Sequence, residues 1–262
     1  MNSVERRMAV DAARAAGQLL REALPLTRQV SYKGAPTNLV TEMDARAEAL
    51  VVGALNDAFP DDGILAEEGS ARAGRSGRRW IIDPLDGTTN YAHGLPIFSV
   101  GIGLEDARAI VLGVVYDPTR DELFVAERGA GAWLNDARLS VSTTAQLEAS
   151  LLVTGFPYDI RTNPDNNLAE YATFSRRARA VRRLGSALLD IAYVAAGRFE
   201  GFWELALSPW DVAAAGILVE EAGGRVTDLR GGAIDIDRPR IVATNGRIHD
   251  QMLAVLKEVR GQ

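Results

Sequence analysis

The segment WIIDPLDGTTN, residues 80–90, joins a short apolar run to two aspartates three positions apart. The run at 80–82 predicts a buried strand directly before Asp83. A proline between the two aspartates bends the chain, so Asp83 and Asp86 can converge on one point instead of alternating across a sheet. Gly87 and the two threonines after it offer backbone N–H groups to a phosphate if a helix begins there. An aspartate-rich β-turn with a threonine cap is the alternative interpretation.

The chain around this segment changes from a helical pattern to a strand pattern and then to a mixture of both. Apolar residues recur at helical spacing between Met8 and Leu20, and a second amphipathic run extends from about Val40 to Phe59. From Gly63 onward, short β-rich runs separated by turns predict an antiparallel meander of about six strands. Beyond about residue 150, helices are predicted at 165–178, 186–196, 210–222 and 247–260, and strands at 150–155, 180–185, 199–204, 224–229 and 240–245.

The composition excludes several kinds of site before any motif is considered. Cysteine is absent, which removes disulfides, thiolate nucleophiles, zinc fingers and iron–sulfur clusters. With His93 and His249 as the only histidines, a metal must bind mainly to oxygen. The net charge of −6 disfavours binding to nucleic acid through its phosphates, but it does not exclude a local basic patch. We find neither a secretory signal nor a long apolar run, and we therefore expect a cytoplasmic protein without membrane contact.

Three further acidic positions are candidates for a site, and each also has a plainer explanation. Glu67 belongs to an adjacent Glu pair after a strand candidate, which is usually a solvated strand end. Asp211 begins an apolar helix, where aspartate is most often an N-terminal cap. Asp44 lies three residues after Thr41, which fits a capping box at the start of the second helix.

In order and spacing, three strings resemble the signatures of a known family. They are ILAEEGS at 64–70, WIIDPLDGTTNYAHGLP at 80–96 and PWDVAAAGILVEEAGG at 209–224. They resemble the inositol monophosphatase family of lithium-sensitive, magnesium-dependent phosphatases. The resemblance implies an α/β fold, an α+β sandwich with alternating α/β/α/β/α layers. It also implies a single domain over 1–262, with a helix-and-meander half at 1–148 and an α/β half at 149–262.

The resemblance further implies roles for individual residues. The implied metal ligands are Glu67, Asp83, the main-chain oxygen of Leu85, Asp86 and Asp211, which would hold about two or three Mg2+ ions. The implied catalytic residues are Glu67, Thr88 and Asp44, with Asp44 hydrogen-bonded to the Thr88 hydroxyl so that Glu67 and Thr88 orient a water. The implied substrate contacts are Asp86, Gly87, Thr88, Ala187 and Glu204. Lys33 lies where the family has a lysine near the metals, and it is either a charge modulator or an ordinary loop lysine.

The implied reaction is Mg2+-dependent hydrolysis of a phosphate monoester of a polyol or sugar, first of all myo-inositol monophosphate, by a homodimer. The same chemistry on fructose 1,6-bisphosphate, a nucleotide of the PAP or NADP type or histidinol phosphate is an alternative. Another alternative is a protein that binds RNA or the transcription machinery, for which the arginine cluster at 176–183 is the support. That cluster has a simpler explanation as a solvated surface. The stretch GFPYD at 155–159 is a candidate subunit contact or a locally packed loop.

Overall fold

The computed structural model describes residues 3–25, 30–32 and 39–261. Its α-helices are α1 (Val4–Ala23), α2 (Glu42–Ala58), α3 (Thr88–Ala92), α4 (Leu168–Arg177), α5 (Ala187–Ala195), α6 (Pro209–Glu221) and α7 (His249–Arg260). Its strands are β1 (Val30–Tyr32), β2 (Leu39–Thr41), β3 (Gly63–Ala66), β4 (Ala71–Arg72), β5 (Arg78–Asp86), β6 (Ser99–Asp106), β7 (Ala109–Asp117), β8 (Glu122–Glu127), β9 (Gly131–Leu134), β10 (Ala137–Arg138), β11 (Leu151–Thr154), β12 (Ala180–Arg182), β13 (Gly201–Glu204), β14 (Arg225–Thr227) and β15 (Ile241–Thr244). The helices and strands predicted beyond residue 150 are confirmed within a few residues at each end. Lys33 lies outside the described residues.

The two N-terminal helices form as their apolar spacing predicts. Ser3 caps α1 by accepting a hydrogen bond from the Arg6 N–H at 3.1 Å. A stripe of small side chains on α1 is buried against the rest of the molecule, namely Ala9, Ala12, Ala13 and Ala16. Because these side chains are short, α1 packs closely on α2 and on strands β6 and β7.

The larger sheet corrects the predicted six-stranded antiparallel meander. Its strand order is β10-β9-β8-β7-β6-β5-β3-β4, so it has eight strands, two of them only two residues long. The pairing of β3 with β5 is parallel, while the other pairings are antiparallel. The parallel pair arises because the chain folds back through β4 before it enters β5. As a result, the carboxyl ends of β3 and β5 meet at the same edge of the sheet.

Strand β5 includes both aspartates of the segment. It continues past Ile82 to Asp86, which pairs with Ser99 in β6. The register shifts between Asp83 and Asp86, where Pro84 has no N–H to donate to the ladder. The irregularity lets both aspartates stay at the strand end without strict alternation of faces.

The elements stack in the expected α/β/α/β/α order. Helices α1 and α2 pack on the outer face of the larger sheet, and α5 and α6 lie between the two sheets. The smaller sheet has the order β12-β11-β13-β15-β14, and α4 and α7 pack on its far side. Across the part of the chain that the structure describes, no helix combines the length and apolar character needed to cross a membrane.

Helix α6 is held unusually close to the larger sheet, which fixes the position of its first turn. A Cβ atom on Gly113 in β7 would lie only 2.1 Å from the Ala214 carbonyl oxygen. Glycine therefore permits the helix backbone to approach the strand. This contact carries Asp211, at the start of α6, to the end of the sheet where β3 and β5 terminate.

Candidate active site

Four acidic residues at this end of the larger sheet are close enough for their charges to affect one another. Glu67 follows β3, Asp83 and Asp86 belong to β5, and Asp211 lies in the first turn of α6. Asp83 is only 1% exposed. Burial raises its pKa well above the ordinary value, and the charges of Glu67, Asp86 and Asp211 raise it further. Because buried like charges are costly on their own, the arrangement favours a cation among them.

The donor atoms of this cluster are of the type that Mg2+ prefers. Within residues 3–25, 30–32 and 39–261, no three His, Cys, Asp or Glu side chains are already spaced as ligands of one ion. The four carboxylates nevertheless act on one another electrostatically, since Asp86 and Glu67 also raise the pKa of the buried Asp211 carboxyl. The nearby Leu85 carbonyl adds a neutral oxygen, which lies 3.0 Å from the hydroxyl oxygen of Thr88. Carboxylate and carbonyl oxygens without nitrogen ligands fit a hard divalent cation.

Asp86 is fixed by the N-terminus of α5. Its Oδ2 accepts hydrogen bonds from the Ser186 hydroxyl at 2.5 Å and the Leu188 N–H at 2.8 Å, and its Oδ1 accepts one from the Ala187 N–H at 3.2 Å. Burial raises the pKa of Asp86 to about 6 even though these hydrogen bonds lower it. The family resemblance implied Ala187 as a substrate contact, and it did not reveal that Ser186 and the backbone beside it hold a carboxylate.

Asp44 serves both purposes that the sequence left open. Its Oδ2 accepts hydrogen bonds from the Thr41 N–H at 2.8 Å and the Thr41 hydroxyl at 2.7 Å, so it caps α2 as predicted. Its Oδ1 lies 2.9 Å from the hydroxyl oxygen of Thr88, which is the contact that the family resemblance implies. Burial is the main cause of the raised pKa of Asp44.

A small cavity of about 80 Å³ opens beside these groups. The five positions predicted to touch substrate all line it, namely Asp86, Gly87, Thr88, Ala187 and Glu204. Gly87 has φ +91°, and a Cβ atom there would lie 2.9 Å from the Ile97 carbonyl oxygen. Glycine is therefore required at the turn that leads into α3. Asp211 also lines the cavity, which joins the carboxylate cluster to the predicted substrate pocket.

Three further residues of the cavity wall were not singled out as site residues by the sequence. Asp190 is a buried acid on α5, and Arg183 belongs to the arginine cluster that looked like a solvated surface. The third, Tyr158, lies in the GFPYD stretch and is 55% exposed. Burial of the hydroxyl end of the side chain raises the pKa of Tyr158, and the charges of the four clustered carboxylates raise it further. Its hydroxyl is therefore near those carboxylates, and an exposed aromatic in a Gly-Pro loop was the signal available in the sequence.

The remaining candidates have ordinary environments. His93 is exposed at the end of α3, whereas His249 is buried in a different region between two threonines. In the arginine cluster, Arg177 forms an exposed ion pair with Glu258 at 2.6 Å. Neither histidine touches the cavity residues described above.

Comparison with known proteins gives consistent matches over nearly the full length. The model of the inositol monophosphatase family matches residues 1–260. An inositol-1-monophosphatase of Mesorhizobium japonicum is 46% identical over 231 residues, covering 88% of this chain and 86% of the relative. A Nus factor SuhB of Pseudomonas aeruginosa is 42% identical over 259 residues, covering 95% of this chain and 94% of the relative. The solved inositol monophosphatase of Anabaena (Nostoc) superposes with a TM-score of 0.88 at 45% identity, covering 97% of this chain and 95% of that one.

Proposed function

The chain belongs to the inositol monophosphatase family and is a phosphoric monoester hydrolase, and from that premise we propose that it converts myo-inositol monophosphate to inositol and phosphate with Mg2+ as cofactor. The observation that carries the proposal is the cluster of Glu67, Asp83, Asp86 and Asp211, in which Asp83 and Asp86 are buried, beside a cavity lined by Asp86 and Asp211. The charges of Glu67, Asp86 and Asp211 add to the effect of burial on the pKa of Asp83, which is a costly arrangement that a divalent cation relieves.

The residues of the cluster would hold Mg2+ through carboxylate oxygens and the Leu85 carbonyl. When bound, Mg2+ supplies Lewis-acid stabilisation of the negative charge that develops on the phosphoryl and leaving oxygens. The backbone at Gly87 and Thr88 faces the same cavity and can donate hydrogen bonds to phosphate oxygens. Phosphoryl transfer depends mainly on such positioning and charge stabilisation.

Asp44, Thr88 and Glu67 would orient the attacking water. Because the Thr88 hydroxyl donates its proton to Asp44, its oxygen keeps lone pairs that can accept a hydrogen bond from water. Glu67, which belongs to the same carboxylate cluster, would take a proton from that water. The water oxygen then forms a bond to phosphorus and the bond from phosphorus to the alcohol oxygen breaks. The alcohol oxygen takes up one proton, which balances the proton that Glu67 removed from the water.

A panel of phosphate esters tests the proposal. Phosphate release from myo-inositol 1-phosphate, fructose 1,6-bisphosphate, a 3′-phosphorylated nucleotide and histidinol phosphate is measured with and without Mg2+, with Asp83→Asn as the inactive control. We expect Mg2+-dependent release that is fastest for the inositol ester. Equal release by the wild type and Asp83→Asn across the panel would refute the enzymatic proposal. A faster reaction with another ester would replace inositol phosphate as the substrate.

Similarity to proteins named Nus factor SuhB favours a second candidate function, binding to RNA or the transcription machinery. Arg176, Arg179 and Arg182 are exposed or half-exposed near one edge of the smaller sheet and supply positive charge there. A protein that neutralises phosphates with these groups must bind RNA less tightly as salt rises. Binding of a fluorescent RNA to the wild type and to Arg176→Gln/Arg179→Gln/Arg182→Gln is the test, and equal affinity for the two proteins would refute it.

We also propose a homodimer that works in the cytoplasm, by analogy with bacterial relatives. The molecular mass in solution tests the assembly, since one chain has a mass of 28.2 kDa. A single species at that mass across micromolar concentrations would refute the dimer.

A further inference from the structure

The most anomalous polar group in the described part of the chain is the carboxyl group of Asp190. It lies on α5, one turn after the Ser186 cap, and it is 2% exposed. Its Oδ1 atom is shielded from solvent and has no hydrogen-bond partner. Leaving a buried carboxyl oxygen without a partner costs free energy, and an apolar side chain at that position would avoid the cost. Packing alone therefore does not explain an aspartate here.

The surroundings of Asp190 connect it to the substrate cavity. Asp190 lines the cavity together with Glu204, which extends from the end of β13. Burial raises the pKa of Asp190 well above its ordinary value, Glu204 and Asp86 raise it further, and Arg183 opposes the shift. Burial is also the main cause of the raised pKa of Glu204. The charge of Glu204 thus acts on Asp190. The positive charge of Arg183 offsets part of that effect.

Glu204 has little freedom on its other side. A Cβ atom on Gly155 would lie 2.2 Å from Glu204 Oε2, so the carboxyl group occupies the space that a side chain at 155 would take. The Gly155 backbone therefore limits the position of the Glu204 carboxyl group on this side. Asp190 is the carboxyl on α5 that shares the cavity wall with it.

We propose that Asp190 is a positioning residue that orients the Glu204 carboxyl group toward the hydroxyl groups of a polyol phosphate. In this proposal Asp190 acts through Glu204, since its Oδ1 is shielded from solvent. Two buried carboxyl groups on the wall of one cavity can be bridged by one water that hydrogen-bonds to both. Glu204 then presents its other oxygen to a substrate hydroxyl. The proposal rests on the proposed phosphatase function.

A double-mutant cycle with two substrates tests it. The variants are Asp190→Ala, Asp190→Asn, Glu204→Gln and Asp190→Ala/Glu204→Gln, assayed on myo-inositol 1-phosphate and on p-nitrophenyl phosphate, which has no hydroxyl groups. For the inositol ester we expect Asp190→Ala to raise KM about tenfold with little change in kcat, as for one lost hydrogen bond. In the Glu204→Gln background the same change should alter KM less than about twofold, because the group that Asp190 orients is already impaired. The KM for p-nitrophenyl phosphate should change far less than that for the inositol ester.

The controls separate positioning from folding. Asp106→Asn makes the same change of charge on an exposed residue and should match the wild type. Asp190→Asn keeps a hydrogen-bonding side chain and should recover part of the KM loss, and it replaces Asp190→Ala in the cycle if that variant does not fold by circular dichroism. A tenfold effect in both backgrounds, equal losses on both esters or an unchanged KM would each overturn the proposal. Absence of Mg2+-dependent hydrolysis in the wild type would instead refute the function on which it rests, and that result is seen before any variant is made.

Discussion

The Thr88 hydroxyl at the start of α3 lies 2.9 Å from Asp44 Oδ1 on α2, across 44 residues of chain. Asp44 also caps α2 through Thr41, so substitution of Asp44 would damage a helix together with the site. Substitution of Thr88 separates the two roles, because the Thr41 hydrogen bonds to Asp44 stay in place.

We therefore expect Thr88→Val to lower kcat about 100-fold with a small change in KM, which is the usual effect of losing a group that handles the proton of an attacking water. Steady-state rates of phosphate release measure it. Thr173→Val, which removes an exposed hydroxyl on α4, is the matched control and should keep wild-type rates. A Thr88→Val enzyme that kept more than half of the wild-type kcat would show that the Asp44 contact only supports the fold.

Removal of one clustered carboxylate should stabilise the metal-free protein and abolish its response to metal. In Asp83→Asn the repulsion from Glu67, Asp86 and Asp211 is lost. We expect the Tm without Mg2+ to rise by a few degrees, which corresponds to about 1 kcal/mol for a chain of this size. We also expect the wild type, but not the variant, to gain Tm as Mg2+ is added, since a ligand that binds only the folded state stabilises it.

Thermal unfolding with and without about 10 mM Mg2+, a concentration chosen to saturate even a weak site, measures both effects. Asp106→Asn controls for a change of net charge at an exposed position. A wild type whose Tm did not respond to Mg2+ would contradict the assignment of a metal site to this cluster.

Much of this site was predictable because its parts are local in sequence. The resemblance of the strings around Asp83, Asp86 and Asp211 to the family's signatures implied the cluster, and the spacing of Thr41 and Asp44 predicted a cap that the structure confirms. The parallel pairing of β3 with β5 was not predictable, because strand direction depends on how the chain returns through β4 and not on the pattern of either strand.

Asp190 and Tyr158 were missed for different reasons. Asp190 follows two leucines on a helix, a pattern typical of a boundary between an apolar and a polar face, yet that whole segment is buried between two sheets. Tyr158 lies in a loop, where no periodicity relates it to the cavity. In both cases the missing information was which distant elements pack together.

The buried, neutral His249 should cause the free energy of unfolding to fall as the pH decreases into the mildly acidic range. Its Nε2 lies 2.9 Å from the Thr227 hydroxyl, which donates to the Asp228 carbonyl, so Nε2 is the protonated nitrogen. Its Nδ1 then accepts from the Thr244 hydroxyl at 2.9 Å. A second proton on Nδ1 would break that arrangement in a fully buried site, and burial lowers the pKa of His249 to about 4.

The sign follows from the direction of this shift. Between the unfolded pKa of about 6.5 and the folded pKa, the unfolded chain binds a proton that the folded protein does not, so stability falls by about 1.4 kcal/mol per pH unit as the pH decreases. Above about pH 6.5, His249 contributes nothing to the pH dependence of stability. Urea unfolding from pH 7 to pH 4.5 measures the slope. His249→Asn should flatten it, whereas His93→Asn, at the exposed histidine, should leave it unchanged. Equal slopes for His249→Asn and the wild type would contradict this account.

Metal affinity should depend on the serine that holds Asp86. The Ser186 hydroxyl donates to Asp86 Oδ2 at 2.5 Å, whereas the Ser99 hydroxyl lies 3.4 Å from the same oxygen. A residue that orients a metal ligand typically contributes about 10–100-fold to metal affinity. We therefore expect Ser186→Ala to raise the Mg2+ concentration for half-maximal rate at least tenfold, and Ser99→Ala to raise it much less because its hydrogen bond is long. Mg2+ titrations of phosphate release compare the two variants, which lose the same hydroxyl group from two buried positions around one carboxylate. Equal shifts would mean that burial of the hydroxyl, and not its contact with Asp86, sets the affinity.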